Sequence, residues 1–307
     1  HNLKYEPIRY YITFDFETME HKVEQSISEK TVINSFLKPL SVASCVKSKK
    51  GINTIYYDIR NGDDFIHQWL DDVFYEACKM KDDNLIPDVP LEVQLNKKQN
   101  ANLTYTIPVI GFNSARFDMN ILFNEFYSDN SENGFKVKSF IGSATSFKQV
   151  LVSKTYKQKG GPSFDIVLKF IDAKALSGPG TLRDFIKSFG SEGCTDKGVF
   201  PYEAFDDTNF MEVLSKKEPF EQKDFHSYLN QSEISDQDYA AYVEDARKYR
   251  TRWDYLRHYN ILDVVSMISP LGNIITFTWE KNVDALRNLS LSANASAIKY
   301  ALCYKDF

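Results

Sequence analysis

With 307 residues, 43% hydrophobic and 14% aromatic, the chain can bury a sizeable core, which excludes a disordered protein. No apolar run approaches about 18 residues and no basic-then-apolar leader is present, so neither a membrane span nor a signal peptide is expected, and a soluble intracellular protein is. The net charge of −5 argues against a uniformly basic nucleic-acid binder, yet Lys136–Lys187 holds ten Lys and Arg against three Asp and Glu, a local balance of +7 that leaves −12 elsewhere. Such a stretch suits a polyanion held beside an acidic site, or is simply a solvated lysine-rich hairpin. Cys45, Cys78, Cys194 and Cys303 are widely spaced with no C-x-x-C pair, against a thiolate zinc site or a disulfide framework and for a reducing compartment.

Tyr10-Tyr11-Ile12-Thr13-Phe14-Asp15-Phe16-Glu17-Thr18 reads as an apolar strand with two carboxylates set into it. Alternation points Tyr10, Ile12, Phe14 and Phe16 one way and Tyr11, Thr13, Asp15 and Glu17 the other. Two anions on one face repel, more so as water is excluded, unless a cation sits between them. Taken alone, the pair reads rather as an edge strand with a solvated acidic end. His21–Lys30 is polar and reads as a loop; Leu40–Val46 and Ile52–Ile59, split by Ser48-Lys49-Lys50-Gly51, complete a three-stranded antiparallel meander. Asp63 and Asp64 precede Phe65, Ile66, Trp69, Leu70, Val73 and Phe74, whose spacing predicts an amphipathic helix. Lys81–Tyr105 reads as a long surface insertion.

Ile107–Phe112 is a short strand running into Asn113-Ser114-Ala115-Arg116-Phe117-Asp118, and helical spacing follows from Met119 to Phe126. Asp118 therefore sits where a strand hands over to a helix, either aimed at a site at the carboxyl end of the sheet or serving as a cap. Three further strands are predicted, Phe135–Ile141, Phe147–Tyr156 and Phe164–Ile171, the last two joined by a hairpin at Gln158–Pro162. Thr181–Phe189 is helical, Gly190–Glu221 irregular, and one long helical region runs from Ser235, where Ser235-x-x-Asp238 resembles a capping box, to about Ile268. In it Tyr259 and Asp263 share a face; the plain alternative is a solvated Asp beside a core Tyr.

Phe14-Asp15-Phe16-Glu17-Thr18, Asn113-x-x-x-Phe117-Asp118 and Tyr259-x-x-x-Asp263 resemble, in order, the three motifs of the 3′→5′ exonuclease domain of B-family DNA polymerases, in the tyrosine-bearing branch of the ribonuclease H-like nucleases. Lys197-Gly198-Val199-Phe200 is similar to the Lys-x-x-apolar signature of protein-primed polymerases of phages, linear plasmids and mobile elements. Thr181-Leu182-x-x-Phe185 resembles that group's motif for single-stranded DNA, with a competing register at Asp172–Leu176. The resemblance implies an α/β, ribonuclease H-like fold with a central mixed sheet flanked by helices. It implies an exonuclease domain over residues 1–270 and, over 271–307, the lead-in to a polymerase module whose palm motifs are absent here. A chain that starts at His1 fits a piece of a longer protein.

Carboxylates without His or Cys companions favour hard cations, Mg²⁺ or Mn²⁺. By resemblance, Asp15, Glu17 and Asp263 would hold one ion, and Asp15 with Asp118 a second, for two-metal hydrolysis at phosphorus. Tyr259 would orient the attacking water, Lys197 would neutralise charge on the phosphate, and Thr18, Asn113 and Phe117, with Thr181 and Leu182, would grip the strand. The partners implied are a single-stranded DNA 3′ end, the rest of the polymerase chain and a terminal priming protein. A stand-alone exonuclease acting on RNA or oligonucleotides, and a non-catalytic single-strand-binding relic of a mobile element, are the alternatives.

Overall fold

Alternation along the first strand decides how the layers stack. In the computed structural model, which describes residues 6–28, 31–84, 103–127, 134–143, 146–157, 160–193, 197–227 and 231–304, β1 spans Tyr11–Ser28. Ile12, Phe14 and Phe16 pack with Trp69, Leu70, Val73 and Phe74 of α1, Phe65–Lys79. The rings of Phe14 and Phe16 lie 6.0 and 5.5 Å from that of Trp69, whose indole donates to Ser44 Oγ at 2.9 Å. On the opposite face Tyr11 joins a second core with Ala43, Cys45, Ile110 and Ile171. The predicted facing of Tyr11, Ile12, Phe14 and Phe16 is the observed one.

The antiparallel meander is completed by β2 (Thr31–Ser48) and β3 (Gly51–Asp58). After α1 come β4 (Leu103–Gly111), α2 (Asp118–Tyr127), β5 (Phe135–Ser143), β6 (Ser146–Tyr156) and β7 (Phe164–Asp172). The sheet order is β3-β2-β1-β4-β7-β6-β5. Its centre, β1, β4 and β7, is parallel, and each side is extended by an antiparallel pair. Helices cover both faces, giving a mixed α/β sheet consistent with a ribonuclease H-like fold. Short α3 (Ala173–Ser177) and α4 (Leu182–Phe189) follow, then α5 (Phe210–Ser215), α6 (Asp236–Ala246), α7 (Arg252–Ser266), α8 (Ile268–Trp279) and α9 (Leu291–Cys303).

Two expectations are corrected. His21–Ser28 is not a loop: β1 continues, and this part of it pairs with Thr31–Phe36 in a long two-stranded ribbon. None of its described side chains is buried, so no alternation in its polar sequence marks it as a strand. The long helical region from Ser235 is two helices. Thr251 accepts from Asp254 N while Asp254 Oδ2 accepts from Thr251 N, a capping box that restarts the chain in a new direction. Most of the Lys81–Tyr105 insertion lies outside the described residues, and its end, Leu103–Tyr105, is the start of β4.

The second core is built on α7 and α8: Val264, Met267, Leu271, Ile274 and Ile275 pack with Ala285, Leu286 and the sheet residues named above. Residues 271–286 thus share the core of the sheet. Together Arg252–Trp279 is long and apolar enough to cross a membrane by length and composition, and half of its most apolar stretch is buried within the protein.

Candidate active site

The parallel pairing of β1 with β4 is confined to Ile12↔Val109 and Thr13↔Ile110; beyond it the strands part, which opens a site at the carboxyl end of the parallel strands. Phe16 N, freed from the ladder on that side, donates to Asp118 Oδ1 at 3.1 Å. Asp118 begins α2 and is buried. The approach to it is tightly made: a Cβ on Gly111 would stand 2.5 Å from Ser114 Cβ and 3.0 Å from Phe14 Cε1, and Asn113 takes φ 58°. Asp172 holds this turn, accepting from Asn113 N at 2.8 Å, Ala115 N at 3.1 Å and Lys174 N at 2.9 Å.

On the other side of β1, α7 is tied down by three bonds. Thr13 Oγ1 donates to Val264 O at 2.8 Å, and Asn260, fully buried, donates to Asp15 O at 3.2 Å while its Oδ1 accepts from Ser41 Oγ at 3.0 Å. These bonds bring Asp263 to the strand: ligand oxygens of Asp15, Glu17 and Asp263 lie within 4.8 Å of one another. Asp118 is outside that set and stands near enough to Asp15 to raise its pKa.

Lys197 answers this charge. Its Nζ lies 3.0 Å from Asp263 Oδ2 and 5.6 Å from the centre of the Tyr259 ring. A side chain at Gly198 would crowd that ring, its Cβ 3.1 Å from Tyr259 Cδ2, so glycine lets the lysine segment lie flat on α7. Tyr259 is buried, and its hydroxyl accepts from Tyr202 OH at 2.7 Å. Phe200 stacks on Tyr259 at 5.4 Å between centroids within a third cluster of Phe205, Phe220, Tyr242, Trp253 and Tyr255.

Burial pushes every carboxyl of the group up. Asp15 is raised well above its ordinary range by burial and by the charges of Glu17, Asp118 and Asp263. Glu17 is pushed up to about 8 by burial and then by Asp263, and Asp118 to about 7 by burial. Asp263 is raised by burial, against the pull of Lys197. Burial works to lower Lys197, yet Asp263, Asp15 and Glu17 raise it, so the ammonium stays charged. Glu17 Oε1 and Asp263 Oδ1 are buried with no hydrogen-bond partner. Unpartnered, acceptor-only oxygens in a like-charged group fit a hard divalent cation, and nothing soft or imidazole-like belongs to the set.

Asp15, Glu17, Thr18, Phe117, Asp118 and Tyr202 line one cleft of about 740 Å³. Phe117 is exposed there, 54% of its surface free. Asn113 contributes its backbone to the Asp172 turn and does not line the cleft. Thr181 and Leu182 lie apart from the carboxylates. Thr181 caps α4, bonded to Asp184, beside a neighbouring cleft that shares Phe112 with the first, and Leu182 is buried in the second core. Among its described residues the basic stretch does not line the cleft: Lys138 pairs with Asp165, Lys154 with Asp71, Lys169 donates to Leu286 O, and Arg183 donates to Lys197 O at 3.4 Å.

Sequence reasoning missed Tyr202 and Asn260, and offered Asp172 only as the start of a competing strand-binding register, not as the residue that holds the turn. Asn260, between Tyr259 and Asp263, carried the one available signal, an amide three residues from an acid on a helix face.

No protein-family model matches the chain, and no curated protein matches it. Among solved structures it is similar to Phi29 DNA polymerase complexed with single-stranded DNA, at 11% identity and a TM-score of 0.41, over 94% of this chain and 34% of that one. The chain thus spans about a third of the length of the polymerase it matches.

Proposed function

We propose that the chain is the 3′→5′ exonuclease portion of a DNA polymerase of the B-family, protein-primed kind, removing 3′-terminal nucleotides from single-stranded DNA. The observation that carries this reading is that Asp15, Glu17 and Asp263, from distant stretches, bring ligand oxygens within 4.8 Å of one another, with Lys197 Nζ 3.0 Å from Asp263 and with Asp118 lining the same cleft as Asp15 and Glu17. Asp15, Glu17 and Asp263 would hold one Mg²⁺ or Mn²⁺, and Asp15 with Asp118 another; such ions, when bound, supply Lewis acidity and a water activated for attack on phosphorus. The chain's own part is positional and electrostatic. Tyr259, held by Tyr202, orients the attacking water through its hydroxyl. Lys197, on a flexible stem and already charged, neutralises the phosphate as negative charge builds on it. Phe117 stacks on a terminal base, and Thr18 bonds the strand at the cleft wall. Asn113 shapes the turn that leads to Asp118, and Thr181 lies beside a neighbouring cleft that the strand leading in could follow, while Leu182 packs in the core.

The test is release of 5′-mononucleotides from a 3′-labelled single-stranded DNA oligomer with Mg²⁺, with Mn²⁺ and with chelator, beside the same RNA oligomer. Metal-dependent release from DNA is expected. Release from RNA alone would make this a ribonuclease, and no release with either metal from folded protein would end the catalytic reading.

A further inference from the structure

The ribbon formed by β1 and β2 beyond the sheet does more than decorate the edge. Its pairing shifts register between Glu17 and Thr18, opposite Ser41 and Pro39, immediately after the second carboxylate. Such a bulge bends a strand and is found beside sites that need a side chain aimed. The ribbon's base is pinned: Asp207 N donates to Glu20 O at 3.0 Å, Lys22 and Lys38 pair with Asp206 and Asp207 at 3.3 and 2.8 Å, and His21 bonds Asp207. This anchoring joins the ribbon to the segment that follows Lys197 and Tyr202, so it stands as a wall of the cleft and not as a loose arm.

That wall is apolar where it meets the cleft. Phe36 and Leu37 line it while 45% and 60% exposed, and Phe117, from the turn before α2, lines it from another element. Large apolar side chains are left in water at the mouth of a cleft whose floor is carboxylate, with Arg116 beside them. A single strand offers base faces that need flat apolar surface at the walls, and its phosphates can approach the carboxylate floor once the cations proposed there offset the like charge. We infer that Phe36 and Leu37 form a second base-binding wall opposite Phe117, so that the nucleotides upstream of the scissile bond are held between ribbon and turn. The inference rests on the nuclease reading for its substrate and adds a specificity element to it: a duplex end cannot lay its paired bases against both walls, so the clamp selects unpaired ends.

The experiment compares the full chain with F36S/L37S and with Ile52→Ser, which removes an equally exposed apolar side chain from β3, on the sheet edge. Binding is read by fluorescence anisotropy of a labelled ten-nucleotide single-stranded DNA whose 3′-terminal linkages are hydrolysis-resistant methylphosphonates, with Mg²⁺ present to offset the carboxylates. Roughly tenfold weaker binding is expected for F36S/L37S, the scale of losing one stacked base, with Ile52→Ser unchanged. Hydrolysis is then followed on the same oligomer with ordinary linkages and on the p-nitrophenyl ester of thymidine 5′-phosphate, which has no upstream nucleotide. The double variant should raise KM for the oligomer and leave the small ester untouched. Equal binding by F36S/L37S and the wild-type chain overturns the clamp, and so does an equal loss on the ester, which would mean the ribbon merely supports the carboxylates. If the wild-type chain binds strand but hydrolyses neither substrate, the nuclease reading falls while the binding comparison still decides the clamp.

Discussion

The two faces of β1 are built on opposite terms. Towards α1, Phe14 and Phe16 meet Trp69 edge-on and tilted in a core with no charge among its members. Towards α7, one residue over in each case, Asp15 and Glu17 meet Asp263 with two buried oxygens unpartnered. The first face contributes stability through burial and close packing. The second withholds it, because desolvated like charges oppose folding until a cation or protons arrive. A strand that must hold anions together is fastened on its other side by aromatic packing, and this division of labour sets what substitution on each face will do.

The largest contrast is in activity. Asp15→Ala with Glu17→Ala should bring metal-dependent nucleotide release down to background while the circular dichroism spectrum stays that of the parent; release at the parent rate would refute the site. Next in size, Phe14→Ala should cost about 3 to 5 kcal/mol in urea unfolding, since Phe14 is fully buried against Trp69 and Phe170. A loss under about 1 kcal/mol would show that the aromatic face is not the anchor.

The carboxylate face should respond in the opposite direction. Glu17 binds its proton more tightly folded, at about 8, than at its ordinary 4.5, so between these values the folded chain holds protons that the unfolded chain releases. Metal-free stability should therefore fall as pH rises from about 4.5 to about 8 and level off above. Glu17→Gln should flatten that slope and raise the melting temperature at pH 8 in chelator, and Mn²⁺ should raise the parent's melting temperature but the variant's less. A parent whose stability climbs with pH through this window would show that the group is already neutralised. Smallest is Lys197→Ala, which should slow release several-fold or more without abolishing Mn²⁺ binding measured by calorimetry. Loss of the metal along with the rate would assign the ammonium to organising the carboxylates.

The seven-residue stretch from Tyr11 to Glu17 was enough to place each side chain on its face, because a strand has a period of two wherever it is half-buried. Tyr259 and Asp263 were paired the same way by the helical repeat, and Asp118 by its place between strand and helix. The ribbon escaped because its residues obey no such burial, and the break before α7 escaped although Thr251 and Asp254 carry the capping signal. Local periodicity thus determined which residues share a face, and the joint resemblance of three motifs singled out the carboxylates among them.

What only the tertiary structure decided is how distant faces meet. Nothing local to Asn260 says that its amide reaches Asp15, nor to Asp172 that it holds the turn ahead of Asp118, nor to Tyr202 that it bonds Tyr259. The reverse holds for Thr181 and Leu182, whose sequence matched a strand-binding motif and whose side chains serve a helix cap and a core. These contacts depend on long-range packing, in which a residue's partner is set by where whole elements dock, and the pattern of a single segment carries no trace of that.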